Sequence, residues 1–147
     1  MKKQIWVEGA YIKIPLGNSC YSLARLLKSP NVAFYDDVYK ENDEVSFGQR
    51  KIAFITCIYT DIIKKGEWII LMEQTLEPEL RVAPKYFKQD PITKDYFIYQ
   101  DGIEIPCDKE DCNNLERLAV WDSRHIVDRL NDLRTGQPNK WVESLKL

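Results

Sequence analysis

Few side chains in this chain are of a type and spacing that could do chemistry. His125 is the single histidine. Any Ser–His or Cys–His nucleophilic site would have to use it, because imidazole is the usual base that activates a hydroxyl or thiol. It falls just after Asp122 and Ser123, in a segment that reads as the first turn of a helix. There the positive end of the helix dipole disfavours an imidazolium, so a structural or surface histidine is the expected reading. Four cysteines are present, Cys20, Cys57, Cys107 and Cys112. Cys107 and Cys112 have four residues between them, whereas structural zinc needs two close pairs or a Cys/His set. Cys20 and Cys57 fall in separate strand-like segments, so no metal and no cofactor is expected. The sequence also lacks the phosphate-binding glycine loops, the H-E-x-x-H zinc motif and the G-x-S-x-G nucleophile elbow.

Carboxylates are the remaining reactive groups. Asp36, Asp37, Glu41, Asp43 and Glu44 crowd into nine residues with Lys40 as the one cation among them. The plain reading is a solvated loop that aids solubility. The sharper one is a negative patch that steers a basic partner and speeds its association. Asp108, Glu110 and Asp111 form a second acidic run that would extend the first if the fold joined them. With so many carboxylates, a small carboxylate-dependent enzyme stands as the alternative, since a glycosidase-type acid/base pair leaves no sequence signature. A generic β-barrel binding module is the other.

Composition narrows the field. The 147 residues are expected to form a single domain over 1–147, large enough to bury roughly 70% of its unfolded surface without staples. Net charge is −2, which argues against a nucleic-acid partner, usually met by a basic face. No window is long and apolar enough to span a membrane, and the first residues lack a signal-peptide core. The expectation is a cytoplasmic protein with reduced thiols.

The elements that must position these groups are mostly strands. Residues 9–16 alternate, with Ile12, Ile14 and Leu16 on one face and Lys13 and Pro15 on the other. Gly17-Asn18 is a turn signal, and residues 20–27 return. Residues 32–35 read as a third short strand and 36–48 as a loop. Residues 52–59 are apolar on both faces, so a central strand is expected. Residues 68–72 form another apolar strand. Pro78, Pro84 and Pro91 make residues 73–91 a long connection. Asp101-Gly102 between two β-type runs predicts a hairpin of residues 96–99 and 103–105. Residues 106–114 are polar, and 118–121 could form a last short strand.

One helix closes the chain. Asp122 is a good N-cap. Ile126, Val127, Leu130 and Leu133 fall on one stripe, Arg124 and Asp128 pair at i, i+4 on the wet side, and Gly136 with Pro138 stops the helix. A helix of about fourteen residues is marginal alone in water, so it must lie on the sheet. Trp121, Asp122, Ile126, Leu130, Leu133 and Trp141 are read as a structural clasp. Trp121, Ile126, Leu130 and Leu133 should share one core with Phe54, Ile70 and Ile98. The fold expected is mainly β (α+β): a curved antiparallel sheet or partly open barrel, with one C-terminal helix packed on it.

The ordered set of short pieces resembles a known family. It runs from Gly9-Ala10-Tyr11, Ile14-Pro15-Leu16 and Arg25-Leu26-Leu27 to Val32-Ala33-Phe34-Tyr35-Asp36 and Gly66-Glu67-Trp68. It continues through Phe87-Lys88-Gln89-Asp90 and Phe97-Ile98-Tyr99. It is densest in Leu115-Glu116-Arg117, Ala119-Val120-Trp121, His125-Ile126-Val127, Arg129-Leu130, Gly136-Gln137-Pro138-Asn139 and Trp141. Over nearly its whole length the chain is similar to the immunity protein 26 family of bacterial polymorphic toxin systems. It departs from the family pattern at Ala24 and Asn114, where members tend to carry glycine. The resemblance implies a cytoplasmic antidote that binds and neutralises a cognate toxin, with no enzyme activity. It assigns no contact residues. Charge alone makes Asp36, Asp37, Glu41, Asp43 and Glu44 the expected toxin-contacting patch.

Overall fold

The computed structural model describes residues 2–48 and 50–147. Among them the chain is mainly β, with ten strands in two open sheets. In the larger sheet β1 (Ala10–Gly17), β2 (Cys20–Leu26), β3 (Asn31–Lys40) and β4 (Ile52–Ile58) pair antiparallel in sequence. β5 (Ile69–Glu73) adds antiparallel to β1 at one edge, and the two-residue β10 (Val120–Trp121) adds parallel to β4 at the other. The smaller sheet holds β6 (Tyr86–Gln89), β7 (Tyr96–Gln100) and β8 (Ile103–Cys107), with β9 (Glu116–Arg117) parallel to β6. The mainly β fold with a C-terminal helix expected from the sequence is thus realised as two mostly antiparallel sheets, each with one short parallel pair.

The strand periodicity explains the core. Ala10, Ile12, Ile14 and Leu16 of β1 face the same way as Ala24, Leu26, Phe34, Phe54 and Ile58. A one-turn helix, α1 (Asp61–Lys64), follows β4; the longer helix α2 (Ser123–Thr135) covers that face with Ile126 and Leu130, and Trp68 and Trp121 fill its margins. The opposite face is also covered. Tyr11, Tyr21, Leu23 and Tyr35 pack with Tyr39, Val45 and Phe47, and Leu27 and Ala33 meet Leu76 and Leu80. That double burial is why β2 carries almost no exposed residue.

Arg25 is the one charged residue of this mostly apolar strand, and it is fully buried. A buried guanidinium must have all its donors engaged. Its Nε donates to Gly9 O at 2.7 Å, and Nη1 to Tyr11 Oη at 3.2 Å and Glu77 Oε2 at 3.1 Å. Nη2 donates to Gln74 O and Thr75 O at 2.9 and 3.0 Å. The group thus ties the start of β1 to the connection after β5. The same close approach requires a glycine at position 9, since a Cβ there would lie 2.0 Å from Gln74 O.

Several expectations change in three dimensions. β3 runs on to Lys40, so Asp36 and Asp37 lie on a strand rather than a loop. The segment after Trp68 is an exposed edge strand, and Trp68 itself turns under the sheet to meet Phe34 edge-on at 6.0 Å. β6 was hidden inside the proline-rich connection. Its Tyr86 hydroxyl donates to Asn31 Oδ1 at 2.7 Å, and the Cys57 thiol donates to the same oxygen at 3.4 Å, fastening the two sheets. Burial pushes both the Tyr86 phenol and the Cys57 thiol up, so both stay neutral. The hairpin at Asp101 and Gly102 forms as the dipeptide predicts, with both φ values positive (48° and 82°). Asn114 takes φ 68°. Asparagine tolerates that left-handed region better than most side chains.

Of the residues read as a clasp, Trp121, Ile126 and Leu130 are buried in the core of the larger sheet. The Asp122 carboxylate accepts from His125 N at 2.9 Å, and Gly136 ends α2 in the left-handed region. Leu133 is the correction. It is 49% exposed, because it lies at the helix end beyond the sheet-facing stripe. Ile98 likewise lies half-buried in the smaller sheet, outside the cluster that holds Phe54. Ile70 packs against the margin of that cluster. A second short helix, α3 (Lys140–Leu145), was not anticipated. It carries Trp141, and the Asn139 side chain caps it.

Candidate functional site

The lone histidine serves packing. Its ring stacks on Trp141, with centroids 3.6 Å apart and planes at 21°. The Trp141 indole N–H in turn donates to Asp128 at 3.1 Å. That leaves Asp128 joined to α3 rather than to Arg124, and no ion pair links those two among the described residues. Ser144 lines the same hollow, but its hydroxyl donates to Trp141 O at 2.7 Å. Among the described residues no group of three or more His, Cys, Asp or Glu side chains is arranged to hold a metal ion.

A cavity of about 450 Å³ opens between the smaller sheet and the C-terminal residues. Phe87, Leu115, Trp121, Val142 and Leu145 line it. Two of its polar neighbours, Arg117 and Glu116, are engaged in structure. The Arg117 Nε–H donates to Leu145 O at 2.8 Å while its guanidinium lies over the Phe87 ring at 4.7 Å. Glu116 accepts both ends of Arg129, at 2.9 and 2.6 Å. That pair ties α2 to the smaller sheet, and Arg129 also lies 3.6 Å over the Phe54 ring on β4 of the larger one. This is the architecture of a joint.

Of the five carboxylates expected to form a negative patch, three are paired with cations. Asp37 pairs with Arg50 at 2.6 Å, and Tyr39, whose hydroxyl also meets Arg50, donates to it at 3.1 Å. Glu41 pairs with Lys13 at 2.7 Å and Asp36 with Lys51 at 3.9 Å. Asp43 accepts from the Lys40 backbone at 2.8 Å. Only Glu44 has no partner among the described residues. Three of the cations come from Lys13, Arg50 and Lys51, outside the acidic run, so the sequence window overstated the field.

The second acidic run is different. Asp108 and Asp111 cap the 3-10 turn of residues 109–112 reciprocally, through each other's backbone N–H groups. No lysine or arginine pairs with Asp108, Glu110 or Asp111 among the described residues. The turn follows β8, which exposes Ile103 (64%) and Ile105 (58%) on one face. β8 is also a sheet edge. In the two-residue hairpin Gln100 and Ile103 close the ladder, so Glu104 and Pro106 direct their backbone outward. Pro106 therefore sits where its missing N–H would have faced solvent, which blunts the edge against strand addition. Tyr86 fastens the smaller sheet to the Asn31 end of β3, whereas residues 36–44 lie at its Lys40 end. The two acidic runs remain separate surfaces.

No described helix is long and apolar enough to cross a membrane. The profile of the family described as immunity protein 26 matches residues 7–98. The match spans β1 to β6, the start of β7, and Asp36 to Glu44. It stops before β8 and before the clasp, where the short-piece resemblance is densest. No curated protein and no solved structure matches the chain.

Proposed function

The chain belongs to the immunity protein 26 family, and from that premise we propose that it binds a cognate bacterial toxin and neutralises it by occlusion, without catalysis of its own. The family match is the observation that carries the reading. The use of His125 in stacking and of Glu116 in an ion pair is in keeping with it. The setting would be the cytoplasm of a cell that makes a polymorphic toxin. The test is a titration of the toxin domain encoded beside this chain. Protection that saturates at one equivalent supports occlusion. Protection by a small fraction of an equivalent means turnover, and no protection at any ratio removes the antidote role.

The contact surface is part of the same proposal. Asp36, Asp37, Glu41, Asp43 and Glu44 form one candidate, with Lys13, Arg50 and Lys51 interleaved. Such a mosaic favours register and specificity over long-range steering. A specific observation favours a second reading. On the smaller sheet two exposed isoleucines adjoin three carboxylates that no lysine or arginine pairs among the described residues. An apolar anchor with a charged rim is the usual anatomy of an interface, and here it would suit a toxin with a basic border. Substituting either set in turn and measuring toxin affinity decides between them.

A further inference from the structure

Cys107 ends β8, and Cys112 closes the 3-10 turn that follows. Their sulfurs lie 3.7 Å apart. The turn between them is held by the reciprocal Asp108–Asp111 cap, with Asp108 N donating to Asp111 Oδ2 at 3.0 Å. The Cys112 thiol also reaches Asp108 O at 3.7 Å. The pair is thus fixed in contact by backbone geometry rather than by chance of side-chain packing. A disulfide needs the sulfurs at about 2.05 Å, a closure within reach of small χ rotations.

We propose that Cys107 and Cys112 are a modification site, oxidised reversibly to a disulfide by small-molecule disulfides such as oxidised glutathione. Exposure sets the order of events. Cys107 is partly exposed, whereas Cys112 is 1% exposed. Burial, with the Cys107 thiol alongside, holds the Cys112 thiol up at about 11, which makes it the poorer first nucleophile. The Cys107 thiolate attacks one sulfur of the small disulfide, breaks its S–S bond and expels one thiolate. The Cys112 thiolate then attacks the Cys107 sulfur and expels the second. Two protein thiols are oxidised and one small disulfide is reduced to two thiols, which take up the two protons released. The bond clips the end of β8 to the turn bearing Asp108, Glu110 and Asp111. This inference rests on the sulfur geometry and not on the toxin reading.

The remaining thiols supply an internal control. Cys57 is buried against Asn31, and Cys20 lies on β2. The full-length protein is incubated with oxidised glutathione, then denatured, alkylated and weighed intact. The expected result is two alkylated cysteines in place of four, with Cys107 and Cys112 linked in the peptide map and full recovery on reduction. Cys112→Ser should instead trap a stable mixed disulfide on Cys107, and Cys107→Ser should leave three free thiols. Circular dichroism checks that both variants fold. Four alkylated cysteines in the wild type, a mixed disulfide that never closes, or a bond to Cys20 or Cys57 would overturn the assignment.

Discussion

The two sheets of this protein are built to different standards. In the larger one every β2 residue after Cys20 is buried, and both faces of the sheet are covered. It even holds a fully buried arginine with all its nitrogen donors engaged. In the smaller one β7 is half-buried throughout and β8 is exposed at four of its five residues. Apolar burial scales with area removed from water, so the larger sheet supplies most of the stability. The smaller sheet has apolar side chains to spare for contact with something else.

Arg25→Met should be the most damaging single change. It strips Gln74 O and Thr75 O of their Arg25 donor and leaves Glu77 unpaired, at a cost of about 3–5 kcal/mol. Denaturant unfolding measures it, and a loss below about 1 kcal/mol would mean that the larger sheet does not depend on this node. Leu130→Ala, at a buried site under the same sheet, should cost about 2–5 kcal/mol. Leu133→Ala, one turn on, should cost under about 1 kcal/mol because the residue is half exposed. Equal losses would mean that α2 is seated differently.

The smaller sheet should behave in the opposite way. Ile105→Ser should shift stability by no more than about 0.5 kcal/mol, yet weaken toxin binding by about tenfold if the residue anchors the contact. Unchanged affinity would return the contact to residues 36–44. The smallest effects concern charge. Glu110→Lys should slow association measurably at low salt, whereas Glu41→Gln should change it little, because Lys13 already offsets that carboxylate. Stopped-flow rates across a salt series compare the two, and the reverse ranking would restore the first acidic run as the steering surface.

Much of the local structure was legible from residue types. The alternation of β1, the Asp101-Gly102 turn, the Asp122 cap and the Gly136 stop are local signals, each a few residues long, and all appear as read. β6 was not legible, since Pro78, Pro84 and Pro91 mask four strand residues whose partner β9 lies some thirty positions on. Arg25 had a signal that went unused: a lone cation inside a mostly apolar strand has to find partners somewhere. The contact surface was the least legible, because the ion pairs that offset Asp37 and Glu41 come from Arg50 and Lys13, outside the acidic window.

By itself the sequence determined the strand character, the helix that must cover a sheet, and the resemblance that places the chain in its family. Those follow from short-range periodicity and capping, which need no knowledge of distant neighbours. Only the tertiary structure decided which charges stay bare, that Leu133 faces water, that His125 packs on Trp141, and that Cys107 and Cys112 touch. Each of these depends on which chain segments meet in space, and that pairing is settled by the packing of the whole domain rather than by any single window of residues.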